Sequence, residues 1–236
     1  MSGQPNSHNA KRVIVTGATS GIGRRCATEL LERGHSVFAT GRHEGRLADL
    51  QGCVGTLPVD LTTPGAGDQL ISSAVETMGG IDAVVHCAGV GLIKSIRDTS
   101  DTDFVRITNT NLRATFLVAK AAAEAMAEGG GGRFLTIPGI LGKAPMRSAA
   151  AYCASKYGVV GLLKSMALEY ARSKVQFCLF HFGGVDSPFW DDIDMRVQRD
   201  KMIPVEVAAN SMVAAIEAPE HLVTNEVTIQ PESHQL

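Results

Sequence analysis

Tyr152 and Lys156 stand four residues apart, one helical turn, so on a helix they share a face. An ammonium beside a phenol favours the phenolate and would draw the tyrosine pKa from about 10 towards neutrality. Such a phenol donates a proton to an alkoxide as hydride arrives on carbon, or removes it in reverse. A Tyr–Lys pair on a helix surface is also commonplace, so its meaning depends on the rest of the chain.

A second candidate is a glycine-rich turn, Thr16-Gly17-Ala18-Thr19-Ser20-Gly21-Ile22-Gly23, placed between the apolar run Val13-Ile14-Val15 and a helical stretch. Gly17 can turn sharply at a strand end. The missing side chains at Gly21 and Gly23 let backbone approach a pyrophosphate and let helix pack on sheet. Amides at the helix start, with its dipole, favour phosphate. The spacing is GxxxGxG rather than GxGxxG, so as a lone string it reads equally as a plain Gly-rich turn. The next strand ends Thr40-Gly41-Arg42-His43 without the carboxylate that binds a ribose 2′-hydroxyl in NAD sites. Arg42 suits a 2′-phosphate instead, predicting NADP; its alternative is a solvated loop arginine.

These groups need a scaffold, and the hydrophobic pattern supplies one. Strands are predicted at Val13–Val15, Val37–Ala39, Thr56–Val59, Ala83–His86, Phe134–Ile137, Val175–Phe180 and Val227–Ile229. Most run apolar on both faces, as strands covered on both sides do. Helical stretches fall near Gly23–Arg33, Pro64–Met78, Asp101–Glu128, Ala149–Arg172 and Val205–Glu217. The alternation predicts a single α/β domain: a Rossmann-type, doubly wound, parallel seven-stranded sheet with helices on both faces. Residues 1–10 read as a flexible tail, and 11–236 as the NADP-binding domain.

Composition narrows the function classes. Lys+Arg 22 against Asp+Glu 24 leaves a formal net charge of -2, with no basic stripe for nucleic acid and no electrostatic pull to an anionic membrane. Cys26, Cys53, Cys87, Cys153 and Cys178 are scattered without a CxxC pair. That spacing argues against a disulfide framework or metal site and for a reducing cytoplasm. No apolar run reaches the roughly 18 residues of a membrane span.

Together these residues resemble the short-chain dehydrogenase/reductase family, from about Lys11 to about Pro231. The likeness rests on TGATSGIG (Thr16–Gly23), Asp60 after the third strand, Asn111 in the middle helix, YCASK (Tyr152–Lys156) and NEVTIQP (Asn225–Pro231). The stretch FATGRHEGRLADL (Phe38–Leu50) is similar to the subgroup of NADP-dependent reductases acting on hydroxy acids and small carbonyls.

The resemblance implies roles residue by residue. Tyr152 would be the acid/base. Lys156 would bind the nicotinamide ribose and lower the tyrosine pKa, and Asn111 would hold the water leading protons out through Lys156. Gly17, Ser20, Gly21, Ile22, Gly23 and Arg42 would meet the phosphates and ribose, and Asp60 the adenine. Ala88 and Gly89 would admit backbone close to the cofactor, Val185 would lie by the carboxamide and Ser187 near the phosphates. Apart from the family, Asn111 reads as a helix cap or bend and Asp60 as a strand end. The implied partners are a small-molecule carbonyl or alcohol substrate and copies of the chain in a homodimer or homotetramer, joined through helices 101–128 and 149–172.

Three departures stand out. The family serine thirteen residues before the tyrosine is Gly139, and a lost oxyanion donor costs on the order of 10²–10³ in rate. Ser148 or Thr136 is a candidate replacement; otherwise the substrate brings its own hydroxyl, or Gly139 makes room for a bulkier group. The family's Asn-Asn pair is His86-Cys87, and its Pro-Gly after strand six is Phe182-Gly183, a change predicted to free the backbone there.

Residues 186–203 would form a substrate flap with Phe189 and Trp190 beneath. Leu92, Ile93, Pro145 and Met146 are candidate walls, and Lys94 or Arg147 a candidate carboxylate anchor. Two functions follow: an NADP-dependent oxidoreductase, or an NADP(H)-binding protein with little turnover and a sensing or assembly role.

Overall fold

The computed structural model describes residues 10–233; the tail expected over 1–10 lies, but for its last residue, outside them. The chain runs β1 (Arg12–Thr16), α1 (Gly21–Glu32), β2 (Ser36–Gly41), α2 (Glu44–Ala48), β3 (Gly55–Pro58), α3 (Ala66–Met78), β4 (Ala83–His86), α4 (Asp101–Thr108), α5 (Ala114–Glu128), β5 (Gly132–Thr136) and α6 (Ala150–Glu169). Then follow β6 (Val175–Phe182), β7 (Val185–Asp186), β8 (Ile203–Pro204), α7 (Val205–Glu217) and β9 (Glu226–Ile229). The main sheet has seven strands in the order β3-β2-β1-β4-β5-β6-β9, every pairing parallel.

Strand alternation feeds two cores. Val13 and Val15 of β1 pack with Leu30 of α1 and Met212 of α7, whereas Ile14 packs with Leu70 of α3, Val118 of α5 and Leu163 of α6. Successive side chains point to opposite faces, so every central strand must be apolar throughout. The strand order reverses between β1 and β4, and a crevice opens there beyond the carboxyl ends of the strands.

Several details differ from the sequence reading. The helix predicted over 101–128 is interrupted by a wider π turn at Asn109–Arg113. The β7–β8 ribbon and α2 carry too few residues for periodicity to reveal. The prediction of a freed backbone at position 182 is corrected: Phe182 continues β6 opposite Ile229, because a residue with an N–H can stay in a ladder that proline would leave. No helix among the described residues is long and apolar enough to cross a membrane.

Candidate active site

β1 delivers the chain into the glycine turn, and contacts there explain its composition. Gly17 has φ +65, and a Cβ on it would fall 2.9 Å from the Ala88 nitrogen. A Cβ on Gly23 would fall 2.4 Å from the Gly17 carbonyl oxygen, so the turn closes only without side chains. At the start of α1 the Ser20 side chain makes no capping hydrogen bond and the first turn holds no acidic residue. The helix therefore presents uncapped amides, and Gly21, Ile22 and Gly23 line the cleft. These donors fit a pyrophosphate. Ser187 faces them: a Cβ on Gly21 would lie 3.5 Å from the Ser187 Cβ.

Arg42 and Arg46 border the same cleft. Arg42 makes no hydrogen bond or ion pair among the described residues, but its charge helps hold the Asp60 carboxyl below its ordinary pKa. The larger causes are hydrogen bonds from the Thr62 amide, 2.9 Å, and the Thr62 hydroxyl, 2.7 Å, to Asp60 Oδ1. An unpaired guanidinium on this rim is a ready partner for a phosphate.

At the other end of the cleft, α6 carries Tyr152 and Lys156. The Lys156 Nζ donates to the Ile137 carbonyl at 2.8 Å and lies 5.6 Å from the Tyr152 ring centroid. The Tyr152 hydroxyl makes no hydrogen bond among the described residues. Burial pushes the phenol pKa up, whereas the sequence expectation was a lysine-lowered value; the ammonium is aimed at a carbonyl, so burial prevails. Burial also lowers Lys156 to about 8. The result is a protonated phenol beside a readily titrated amine.

Asn111 sits in the π turn. Its Oδ1 accepts from the Val90 amide at 2.9 Å, while Nδ2 donates to the Val90 carbonyl at 2.9 Å and to Ser155 Oγ at 3.1 Å. A Cβ on Gly89 would lie 3.2 Å from Asn111 Oδ1 and 3.8 Å from Lys156 Nζ. The structure thus brings Asn111, Gly89 and Lys156 together, with the asparagine side chain clamping the strand-four loop rather than reaching the lysine.

Next to this clamp lies a relay that the sequence did not disclose. His86, fully buried, meets Thr16 Oγ1 through Nδ1 at 2.9 Å and Thr115 Oγ1 through Nε2 at 3.0 Å. Thr115 donates its one proton to the Asn111 carbonyl at 2.6 Å, so it must accept from His86 Nε2–H. Nδ1 is then the acceptor of the Thr16 hydroxyl, whose oxygen in turn accepts from the Ala88 amide at 3.2 Å. One neutral tautomer satisfies every group, and burial pulls the His86 pKa down to about 3.

Gly139 occupies the expected serine position with φ 71 and ψ 177, a region left to glycine. The proposed replacements fare differently. Ser148 is exposed with φ 58 and lies outside the cleft lining. Thr136 borders the cleft, but its hydroxyl donates to the His86 carbonyl at 2.9 Å. Neither offers a free donor towards Tyr152.

The segment after β7 folds over the cleft. Phe189 packs 6.2 Å from the Tyr152 ring and edge-on to Trp190 at 5.3 Å, and the Trp190 indole donates to the Val185 carbonyl at 2.9 Å. Arg199, which borders the cleft, bridges Asp186 and Asp191. Ile93 and Met146 border the cleft; Leu92 and Pro145 do not. Lys94 is taken up by Asp103 at 2.8 Å, and neither it nor the exposed Arg147 borders the cleft. The cleft volume of about 1690 Å³ exceeds the roughly 300–1,000 Å³ of a one-ligand pocket, leaving space for a dinucleotide and a substrate together.

Comparisons with known proteins agree with this geometry. The short chain dehydrogenase family model matches residues 11–198. An uncharacterized oxidoreductase of Staphylococcus aureus (strain MRSA252) is 31% identical over 226 residues, 94% of this chain and 97% of the relative. An alcohol dehydrogenase from the archaeon Thermococcus sibiricus, complexed with 5-hydroxy-NADP, matches with TM-score 0.88 at 20% identity over 97% of this chain and 99% of that one. A metagenomic short-chain oxidoreductase in complex with NADP matches at 0.82 and 25% identity, covering 95% and 99%.

Proposed function

The chain belongs to the short-chain dehydrogenase family and is an oxidoreductase of that type, and we propose that it is NADP-dependent, acting on a small carbonyl or alcohol with Tyr152 as acid/base. One observation carries the reading: a single cleft holds the uncapped start of α1 at one end and the Tyr152–Lys156 pair at the other. The unpaired Arg42 and the NADP complex of the metagenomic relative support the phosphorylated cofactor.

Bound NADPH supplies hydride, and NADP⁺ accepts it in reverse. The α1 amides with Ser20 and Ser187 hold the pyrophosphate, Arg42 pairs with the 2′-phosphate, and Asp60 meets the adenine end. Ala88, Gly89 and Val185 shape the nicotinamide end, and Lys156 binds ribose hydroxyls. As the carbonyl carbon gains hydride, its oxygen takes the Tyr152 proton, which Lys156 and water beside Asn111 restore. Residues 186–203 act as the flap. The homodimer or homotetramer forms through the exposed apolar residues of α4, α5 and α6, and the five free cysteines suit a reducing cytoplasm.

A second reading, NADP(H) binding with little turnover, is favoured by the Gly139 backbone, which offers no oxyanion hydroxyl. NADPH consumption over ketones, diketones and keto acids, with wild type and Tyr152→Phe side by side, separates the two. Turnover lost in the variant while NADPH still binds supports the enzyme. Binding without turnover in wild type supports the second reading, and absence of binding rejects both.

A further inference from the structure

We infer, resting on the reading of Tyr152 as proton donor, that the substrate is a neutral ketone carrying an aryl group rather than a keto acid. The surface around the phenol is apolar except where Lys156 Nζ lies 5.6 Å from the Tyr152 ring centroid. Tyr152 packs with Ile93, Ile140 and Met146 on buried Leu141 and Cys153. Phe189 closes the opposite side, tilted 36° to the Tyr152 ring. Gly91 is what admits it, since a Cβ there would lie 2.5 Å from Phe189 Cζ. Phe189 is itself braced edge-on by Trp190 at 86°, a geometry that suits aromatic packing and leaves a flat ring as the natural guest.

Within the apolar patch beside the phenol a substrate carboxylate finds no cation left for it. Lys94 is bound to Asp103, Arg199 to Asp186 and Asp191, and the Lys156 amine to the Ile137 carbonyl. Arg106, Arg196 and Lys201 border the cleft as exposed residues outside that patch, the last two on the flap beside Asp192 and Asp200. Placing an ionised carboxylate against this apolar wall without a cation strips its hydration uncompensated. An aryl ketone brings no charge to desolvate there, and its carbonyl oxygen meets the Tyr152 hydroxyl, which makes no hydrogen bond among the described residues.

Trp190 is the only tryptophan of the chain and borders the cleft, so its fluorescence reports occupancy whether or not turnover follows. With NADP⁺ present, acetophenone is expected to change Trp190 emission saturably. Benzoylformate, which replaces the methyl of acetophenone by a carboxylate, is expected to bind at least tenfold more weakly. Phe189→Ala is expected to weaken acetophenone at least tenfold. Benzoylformate binding as well as acetophenone, or a Trp190 silent to both, overturns the inference. Acetophenone binding without NADPH consumption leaves the pocket assignment standing and rejects hydride transfer, so the two readings fail separately.

Discussion

Gly139 shows how one pair of torsions limits what chemistry a position can host. At φ 71 and ψ 177 an L side chain is strained even though a Cβ would meet only the Phe182 oxygen, at 3.5 Å. Restoring the family serine is therefore not a simple addition of a hydroxyl. Gly139→Ser and Gly139→Ala are both expected to lose about 1–3 kcal/mol in urea unfolding, with the serine variant turning over no faster than wild type. A faster serine variant of undiminished stability would show that the loop adapts. Lys156 sets a second limit at this scale. Its ammonium persists below about 8 and is lost above it, so reductive kcat/KM is expected to fall as pH rises through that value. A rate level well beyond it would remove the lysine charge from the chemistry.

The elements that carry these residues are tied by the His86 relay, which links β1, β4 and α5 to the carbonyl of the π turn holding Asn111. His86→Leu leaves the Thr16 and Thr115 hydroxyls short of a partner and is expected to cost about 1–3 kcal/mol in urea unfolding. It is also expected to lower kcat, with His86→Asn recovering part of the loss. Because His86 stays neutral down to about 3, the wild-type pH–rate profile should carry no histidine limb from it near the ordinary value of about 6.5. An intact, equally fast leucine variant would reduce the relay to packing. The same elements show what a sequence discloses. β1, β4 and β6 are legible because burial on both faces forces unbroken apolar runs, and the glycine turn and Tyr152–Lys156 because their geometry is local. The relay joins Thr16, His86 and Thr115, which no period connects, and the Gly139 torsions have no compositional signature. The fate of Lys94 was readable in part: Ser100-x-x-Asp103 is a capping-box pattern, and the box it forms places Asp103 where it captures the lysine.

At the scale of the whole molecule, Tyr152 and Lys156 lie on α6, which together with α4 and α5 leaves an outer face incompletely covered. Phe104 and Val105 of α4, Phe116 of α5, and Tyr157 and Leu168 of α6 are exposed, Leu168 by 82%. Isolated apolar residues on a surface are ordinary, but several on adjoining helices are what an association surface requires. Tyr152 and Lys156 share α6 with Tyr157 and Leu168, so a partner seated there would also stiffen the helix that positions the phenol. Sedimentation is expected to find the chain as a dimer or tetramer. Introducing carboxylates with Phe116→Glu and Leu168→Glu should release monomers, since an apolar interface offers an ionised group no compensation. Both residues are exposed, so the monomer itself should stay folded, and retained NADPH binding checks this directly. Slower turnover in such a monomer would connect assembly to the geometry of Tyr152. A wild-type chain that sediments as a monomer at all concentrations would leave these helices as bare surface and reject the assembly.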